Sequence, residues 1–473
     1  MGFLEEFAIN RLRYRCRWCW LWYQFVKRVP ALRRKYPFFE VAAAAARQRS
    51  FDTHGLDSLI ARSALRYAEG GMKCRKLHGK RIAILASALH DNAGGHTKLV
   101  LNKLQLLDGE YEHKLFLTDI SSAKCEASKT LAKVAYLDGE QIDLPTRASR
   151  IKKLAEKIFM YAPVAIYVYL HHYDYYGAGV LALLKRFSDI KIIIASHASH
   201  YPNYGISFAD ILPASLPSTV YINAYFRKMN VNYQALGMLA FDRIEKYKNY
   251  SIDEIGRMRA LLGVSIGEKI TMSGGYSYKF FNEDGTSEYF CMIKSLLERN
   301  LDLKHIMLTN LSKEQESVID GIFGCSEARS RLIVRKLSND YLLSFKCADV
   351  FIDSFPVSGA MTMIDLMRLK VPYVVKINRE NALWSFHEYQ RPNYEYMYER
   401  PDRMLNGVEY LLHHKEAALC EAEKNFGWFM ENYEGRAARK CLLNMLGRLN
   451  DLKSLITEPP QWGTYSFPAS LIV

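Results

Sequence analysis

The chain has 473 residues, 49% hydrophobic and 24% charged, a globular composition long enough for two or three domains of the usual roughly 100–200 residues. Disordered, collagenous and disulfide-scaffold classes are excluded. Lys and Arg number 64 against 50 Asp and Glu, a formal charge of +14, so an anionic partner is expected: a phosphate-bearing ligand, nucleic acid or a membrane surface.

Residues 1–78 show no strand pattern and read as a helical, basic N-terminal region. It opens with Arg11, Arg13, Arg15, Arg17, Trp18, Trp20, Trp22, Lys27 and Arg28. Arginines reach phosphates and tryptophan rings sit at headgroup level, so residues 11–28 suit an anionic membrane surface; packing of those rings on the body of the protein is the structural alternative. No helix-turn-helix, finger or RNP motif is found, and no nucleic-acid partner is expected. The nine cysteines are an odd number in a long chain, which indicates a reducing compartment. Cys16 and Cys19 lack a second ligand pair, so no metal is expected. The first apolar residues are interrupted by Glu5, Glu6 and arginines, and no apolar run reaches the roughly 18 residues of a spanning helix. The expected location is cytoplasmic, peripheral on the inner face of the membrane.

From Lys80 the pattern changes to short β-branched runs separated by helix-length segments, at 81–87, 113–118, 164–169 and 190–195. A further strand-like segment covers 208–213. After a polar connector at 246–251, a second series follows at 269–272, 304–308, 332–334, 350–352 and 373–376. Such runs predict parallel sheets covered on both faces. The expected α/β organisation is a helical region over 1–78, Rossmann-like domains over 79–248 and 249–430, and a helical tail over 431–473. Ligands in such sheets lie beyond the carboxyl ends of the strands.

Five strand-end segments can carry chemistry. After the first strand, Gly94 and Gly95 permit a tight turn, and His90, Asp91 and His96 supply proton-transfer groups. Satisfied loop residues would look the same. His200 in Ser-His-Ala-Ser-His, and His171 with His172, occupy similar positions further on. In the second series, Gly274 and Gly275 keep the approach open for Lys279 to reach a diphosphate. Ser358, Gly359 and Thr362 surround the start of a helix beginning near Met361, whose free N–H groups favour phosphate. Asp365, one turn further in, can accept hydrogen bonds from ribose hydroxyls.

These motifs resemble the catalytic region of the O-GlcNAc transferase family and its bacterial relatives. Residues 359–365 are similar to that family's Gly-His-Thr-Thr-Gly-Met-Asp loop, Tyr278-Lys279 to its Tyr-Lys pair, and residues 331–338 to its base-binding loop. The segment 196–215 resembles its acceptor-side loop, and His96 a histidine near its first strand-to-helix turn. The resemblance implies a GT-B fold, two Rossmann-like domains facing a cleft. It gives Lys279 the diphosphate, Gly359, Thr362 and Asp365 the phosphate and ribose, and Lys336, Leu337 and Ser338 the base, in a metal-independent enzyme using a UDP-linked sugar. Ala360 and Met361 depart from the family loop. The Glu-x7-Glu pattern of many retaining enzymes is missing, Val357 standing eight residues before Asp365, which favours inversion.

The expected activity is therefore transfer of a hexosyl or N-acetylhexosaminyl group from a nucleotide sugar to the hydroxyl of a glycan or lipid-linked acceptor. Lipopolysaccharide or capsule assembly is the expected setting, with His96, Asp91, His90 and His200 as candidate bases. A protein glycosyltransferase, a nucleotide-sugar 2-epimerase and a non-catalytic nucleotide-sugar-binding protein remain as alternatives.

Overall fold

A computed structural model describes residues 41, 54–68, 71–89, 95–118, 136–138, 147–171, 174–195, 204–213, 233–234, 249–265, 267–282, 284–336, 341–377 and 390–451. The described residues divide into two compact units, one holding those up to 234 together with 438–451, the other those from 249 to 437.

In the first unit, strands β1 (His78–Ala86), β2 (Glu112–Leu117), β3 (Tyr136–Asp138), β4 (Pro163–Tyr169) and β5 (Lys191–Ile194) make a sheet of order β3-β2-β1-β4-β5. Every pairing is parallel. Helices α1 (His54–Tyr67), α2 (Gly95–Leu107), α3 (Arg147–Tyr161) and α4 (Tyr175–Phe187) accompany it. Successive side chains on a strand point to opposite faces, and the core divides accordingly. Ala83, Leu85, Ile166 and Val168 pack with apolar residues of α1, α3 and α4. Ile82, Ile84, Ala165, Tyr167 and Tyr169 pack on the other face with Val100 and Leu104 of α2. Burial on both sides is why these strands read as continuous apolar runs.

The segment 208–213 is not one strand. A 3-10 turn covers Ile206–Phe208, Ile211 bridges to Ile193 of β5, and Leu212–Pro213 (β6) pairs with Tyr233–Gln234 (β7). The cause is the buried Asp57 carboxylate of α1. It accepts hydrogen bonds from the backbone N–H of Gly205 at 2.7 Å and of Ser207 at 3.1 Å, and from the Ser207 hydroxyl at 2.6 Å. The chain just ahead of the segment is thereby tied to a helix in a turn.

The second unit has a six-stranded parallel sheet built from β8 (Lys269–Gly274), β9 (Leu303–Leu308), β10 (Leu332–Arg335), β11 (Val350–Ile352), β12 (Tyr373–Lys376) and β13 (Met397–Tyr398), in the order β10-β9-β8-β11-β12-β13. Its helices are α5 (Ile252–Leu261), α6 (Glu288–Arg299), α7 (Lys313–Phe323), α8 (Tyr341–Lys346), α9 (Ala360–Leu369), α10 (Pro401–His413) and α11 (Lys415–Asn432). Helix α12 (Gly435–Gly447) follows, and its Ala438, Leu442, Met445 and Leu446 join the α2-side core of the first unit. Among the described residues no helix is long and apolar enough to cross a membrane.

Helix starts are mostly capped by their own sequence. Ser251 with Glu254 and Ser312 with Gln315 form capping boxes on α5 and α7, and the Ser287 side chain caps α6. Helix α9 differs, since its N-cap is Gly359 with no side-chain cap bond and no acidic residue in the first turn.

Beneath β8 a buried polar chain fixes the interior. His305 Nδ1 lies 2.9 Å from Thr271 Oγ1, and Nε2 lies 2.9 Å from the Tyr289 hydroxyl. That hydroxyl donates to Ser273 Oγ at 2.5 Å, which donates to the Ile352 carbonyl at 2.6 Å. With the Tyr289 hydroxyl donating to Ser273, Nε2 is the protonated nitrogen, and in the neutral imidazole Nδ1 accepts from Thr271. Burial agrees, pushing the His305 pKa down to about 3.

Because the folded pKa lies below the unfolded value of roughly 6.5, stability falls as acid protonates the unfolded chain first. The stability advantage of the wild type over His305→Gln should shrink by about 1 kcal/mol between pH 7 and 5.5. Urea unfolding of both proteins measures it. A pH-independent difference would show that His305 is not held neutral.

Candidate functional site

In the second sheet the chain runs outward from β8 through β9 to β10, then returns to the other side of β8 as β11 and runs on to β12 and β13. The order reverses between β8 and β11, and the loops after these two strands flank the crevice where ligands bind in such sheets. Parallel register sets Thr271 beside Val350 and Met272 beside Phe351, so both strands end at the same level.

The β8 loop is built for close approach. A Cβ on Gly274 would lie 2.7 Å from the Phe345 ring, and Gly275 adopts φ +150, a value side chains disfavour. The chain then enters a 3-10 turn over Ser277–Phe280 that carries Lys279. Tyr276 and Tyr278, 71% and 58% exposed, stack at 6.2 Å beside it.

The β11 loop is organised by Asp353, the first residue beyond the strand and fully buried. One carboxylate oxygen accepts from the backbone N–H of Ser354 and of Gly359, both at 2.8 Å, and the other accepts from the Ser358 hydroxyl. The loop is closed further by Ser354 Oγ donating to the Val357 carbonyl at 2.7 Å. Lys279 Nζ donates to the Ser358 carbonyl at 3.3 Å, and the Lys279 carbonyl accepts from Val357 N–H at 3.3 Å. The two loops are therefore joined to each other. Burial raises the Asp353 pKa to about 6 despite the hydrogen bonds and the Lys279 charge that oppose the rise, and burial lowers that of Lys279.

This arrangement brings Gly274, Gly275, Lys279, Ser358, Gly359 and the start of α9 together. Thr362 lies against Gly359, whose Cβ would sit 3.1 Å from Thr362 Oγ1. Asp365 is buried one turn along, accepting from the Tyr341 hydroxyl at 3.0 Å and pairing with Arg368 at 3.2 Å. Lys336 is exposed just after β10; Leu337 and Ser338 lie outside the described residues. Reading the sequence did not single out Asp353, Tyr341 or Arg368 as site residues. An i,i+3 Asp–Arg pair was visible, whereas nothing local marks Tyr341, 24 positions from Asp365.

The first unit has a comparable strand-end carboxylate. Asp174 caps α4 through a 2.8 Å bond from Gly177 N–H, and accepts from the hydroxyls of Ser87 after β1 and Thr118 after β2, each at 2.5 Å. The His171 N–H, just past β4, donates to Ser87 Oγ at 2.8 Å. His90, Asp91, Gly94, His172 and His200 lie outside the described residues. His96 is the second residue of α2, and its side chain lies outside them too.

Electrostatically, the β8–β11 site is unusual. The N-terminus of α9 carries unsatisfied N–H groups and a partial positive charge. Asp353 accepts from the N–H of its N-cap Gly359, and a lysine is placed beside the same loop, where a cation disfavours a helix start by about 0.3–1 kcal/mol. Asp353 offsets part of that charge from beneath. An anion above the loop would satisfy both the helix end and Lys279. Among the described residues no cluster of His, Cys, Asp and Glu could hold a metal ion.

Comparison with known proteins bears on the fold. No sequence-family model matches the chain, and no curated protein matches it in sequence. Solved structures do. An O-GlcNAc transferase mutant of Thermobaculum terrenum matches with TM-score 0.53 and 13% identity over 90% of this chain and 79% of that one. A glycosyltransferase of Rickettsia africae gives 0.60 and 10% over 79% and 100%. Anabaena HepE in complex with UDP-glucose gives 0.52 and 11% over 78% and 100%. The fold is that of the GT-B glycosyltransferases, an α/β architecture with parallel sheets, as the sequence motifs implied.

The Asp353 network makes a graded prediction. Asp353→Ala removes the acceptor of three buried donors and the charge facing Lys279, and should destabilise the protein by about 3–5 kcal/mol. Asp353→Asn keeps one acceptor oxygen for the two amides and should cost distinctly less. Urea denaturation at pH 7.5 ranks them; equal, near-zero effects would remove Asp353 as the organiser of the loop.

Proposed function

We propose that the protein is a metal-independent glycosyltransferase that binds the diphosphate of a nucleotide sugar, UDP-linked, between the β8 and β11 loops. The observation that carries this reading is the lysine set against an uncapped helix start, a cationic arrangement made favourable by a bound diphosphate. Lys279, Thr362 and the α9 amides would stabilise charge developing on the leaving diphosphate. Asp365, steadied by Tyr341 and Arg368, would face the ribose, and the backbone around Lys336, Leu337 and Ser338 the base. The sugar passes to an acceptor hydroxyl with inversion, the base being drawn from His96, Asp91, His90 and His200. The acceptor is a glycan or lipid-linked glycan of bacterial surface assembly, approached with residues 11–28 on an anionic membrane.

A second reading is supported by a putative UDP-N-acetylglucosamine 2-epimerase of Listeria monocytogenes, similar at TM-score 0.50 and 11% identity over 79% of this chain and 97% of that one. Turnover of donor to an isomeric nucleotide sugar with no acceptor present would select it.

Lys279→Ala should weaken UDP binding ten- to a hundredfold, as expected for a charge-assisted hydrogen bond worth about 1.5–3 kcal/mol. It should also lower thermal stability, because it leaves the buried Asp353 without its opposing charge. Unchanged calorimetric affinity would remove the lysine from the site.

Asp365→Asn should weaken binding of UDP more than of 2′-deoxy-UDP, because the proposed partner is a ribose hydroxyl. Equal losses in calorimetry would assign Asp365 to the structure of α9 alone.

A further inference from the structure

A second ligand-sized feature lies on the same unit and shares no residue with the β8–β11 loops. It is a cavity of about 400 Å³ lined by Glu395, Tyr396, Tyr398, Arg403, Asn406, Gly407 and Tyr410, within the roughly 300–1,000 Å³ of small-molecule sites. Its construction follows from two periodicities. Tyr396 and Tyr398, two apart at β13, share a face of the edge strand. Residues 403, 406, 407 and 410 share one face of α10. Gly407 lets the strand approach the helix, since a Cβ there would meet the Tyr398 ring and hydroxyl.

The lining chemistry is specific. Tyr410 is 46% exposed and stacks on His414 at 4.1 Å, which steadies its ring. Tyr396 lies roughly parallel at 6.5 Å. Among the described residues, the side chains of Arg403 and Asn406 have no hydrogen-bond or ion-pair partner. Glu395 supplies acceptors, Arg403 donors, and Asn406 and the tyrosine hydroxyls both. One positive and one negative side chain give the cavity no net preference for an ion. Flat aromatic rings ringed by mixed donors and acceptors fit a neutral polyhydroxy ligand whose ring presents an apolar C–H face, which is the chemistry of a pyranose with equatorial hydroxyls.

We propose that this cavity is a saccharide-binding subsite, separate from the nucleotide-sugar site, that holds a neutral, gluco-configured oligosaccharide. It retains a glycan chain on the protein surface independently of donor occupancy. The proposal stands on the cavity itself, and its test uses no nucleotide, so its failure and that of the transferase reading are distinguishable.

The experiment titrates the full-length protein with cellohexaose and chitohexaose, reading affinity by calorimetry and contact by saturation-transfer NMR. Saturable binding of either probe is expected, at least fivefold weaker in Tyr410→Ala and in Asn406→Ala and unchanged in Lys279→Ala. Asn406 is exposed, so that variant keeps the test valid if Tyr410→Ala unfolds. Absence of binding to both probes, equal affinity in the wild type and the two cavity variants, or loss of binding in Lys279→Ala would each overturn the proposal.

Discussion

The candidate site in the second unit depends on one buried carboxylate. Asp353 gathers Ser354, Ser358 and Gly359 around its two oxygens, so the chain leaving β11 curls back and presents the start of α9 instead of running on into solvent. The same charge lies beneath Lys279, whose ammonium bonds to that loop. Its folded pKa of about 6 is raised above the usual carboxylate value, so holding it ionised at neutral pH costs about 3 kcal/mol. The sign follows from linkage: stability is fully present below the unfolded pKa and is lost as pH rises through about 6. The charge is explained by what it balances, a lysine and a helix end that are both positive.

Carboxylates tie loops to elements throughout the described residues. Asp57 fixes the turn at Gly205, Asp174 draws together the ends of β1, β2 and β4, and Asp349 accepts from Ile270 N–H at 2.7 Å at the opposite end of β8. Asp57 and Asp349 thereby accept from backbone N–H groups, and Asp174 from one backbone N–H and two hydroxyls, so that these donors are not left unsatisfied. Two of them, Asp174 and Asp353, stand at the carboxyl ends of central strands, where loops must be ordered for ligands to be recognised.

Much of this was legible in the sequence. Strands buried on both faces announce themselves by β-branched runs, and β1, β2, β4, β5, β8, β9, β10, β11 and β12 fall where those runs lie. The glycines, Lys279 and the Ser358–Thr362 segment were found because loops after central strands are where chemistry concentrates. β3 and β13, three and two residues long, are too short for periodicity to register. Burial of Asp353 was hidden because an aspartate at a strand end reads equally as a solvated turn residue. Tyr341 reaches Asp365, and α12 reaches the core of the first unit, through tertiary packing over distances along the chain that no local pattern encodes.

The central claim is that the β8 and β11 loops form a diphosphate site. Amide hydrogen exchange with and without saturating UDP tests it most directly, because a ligand bound to those backbone groups suppresses local opening. Slowed exchange concentrated in residues 274–280 and 357–363 is the predicted result. Unchanged exchange in both segments at saturation, with protection elsewhere or none at all, would contradict it.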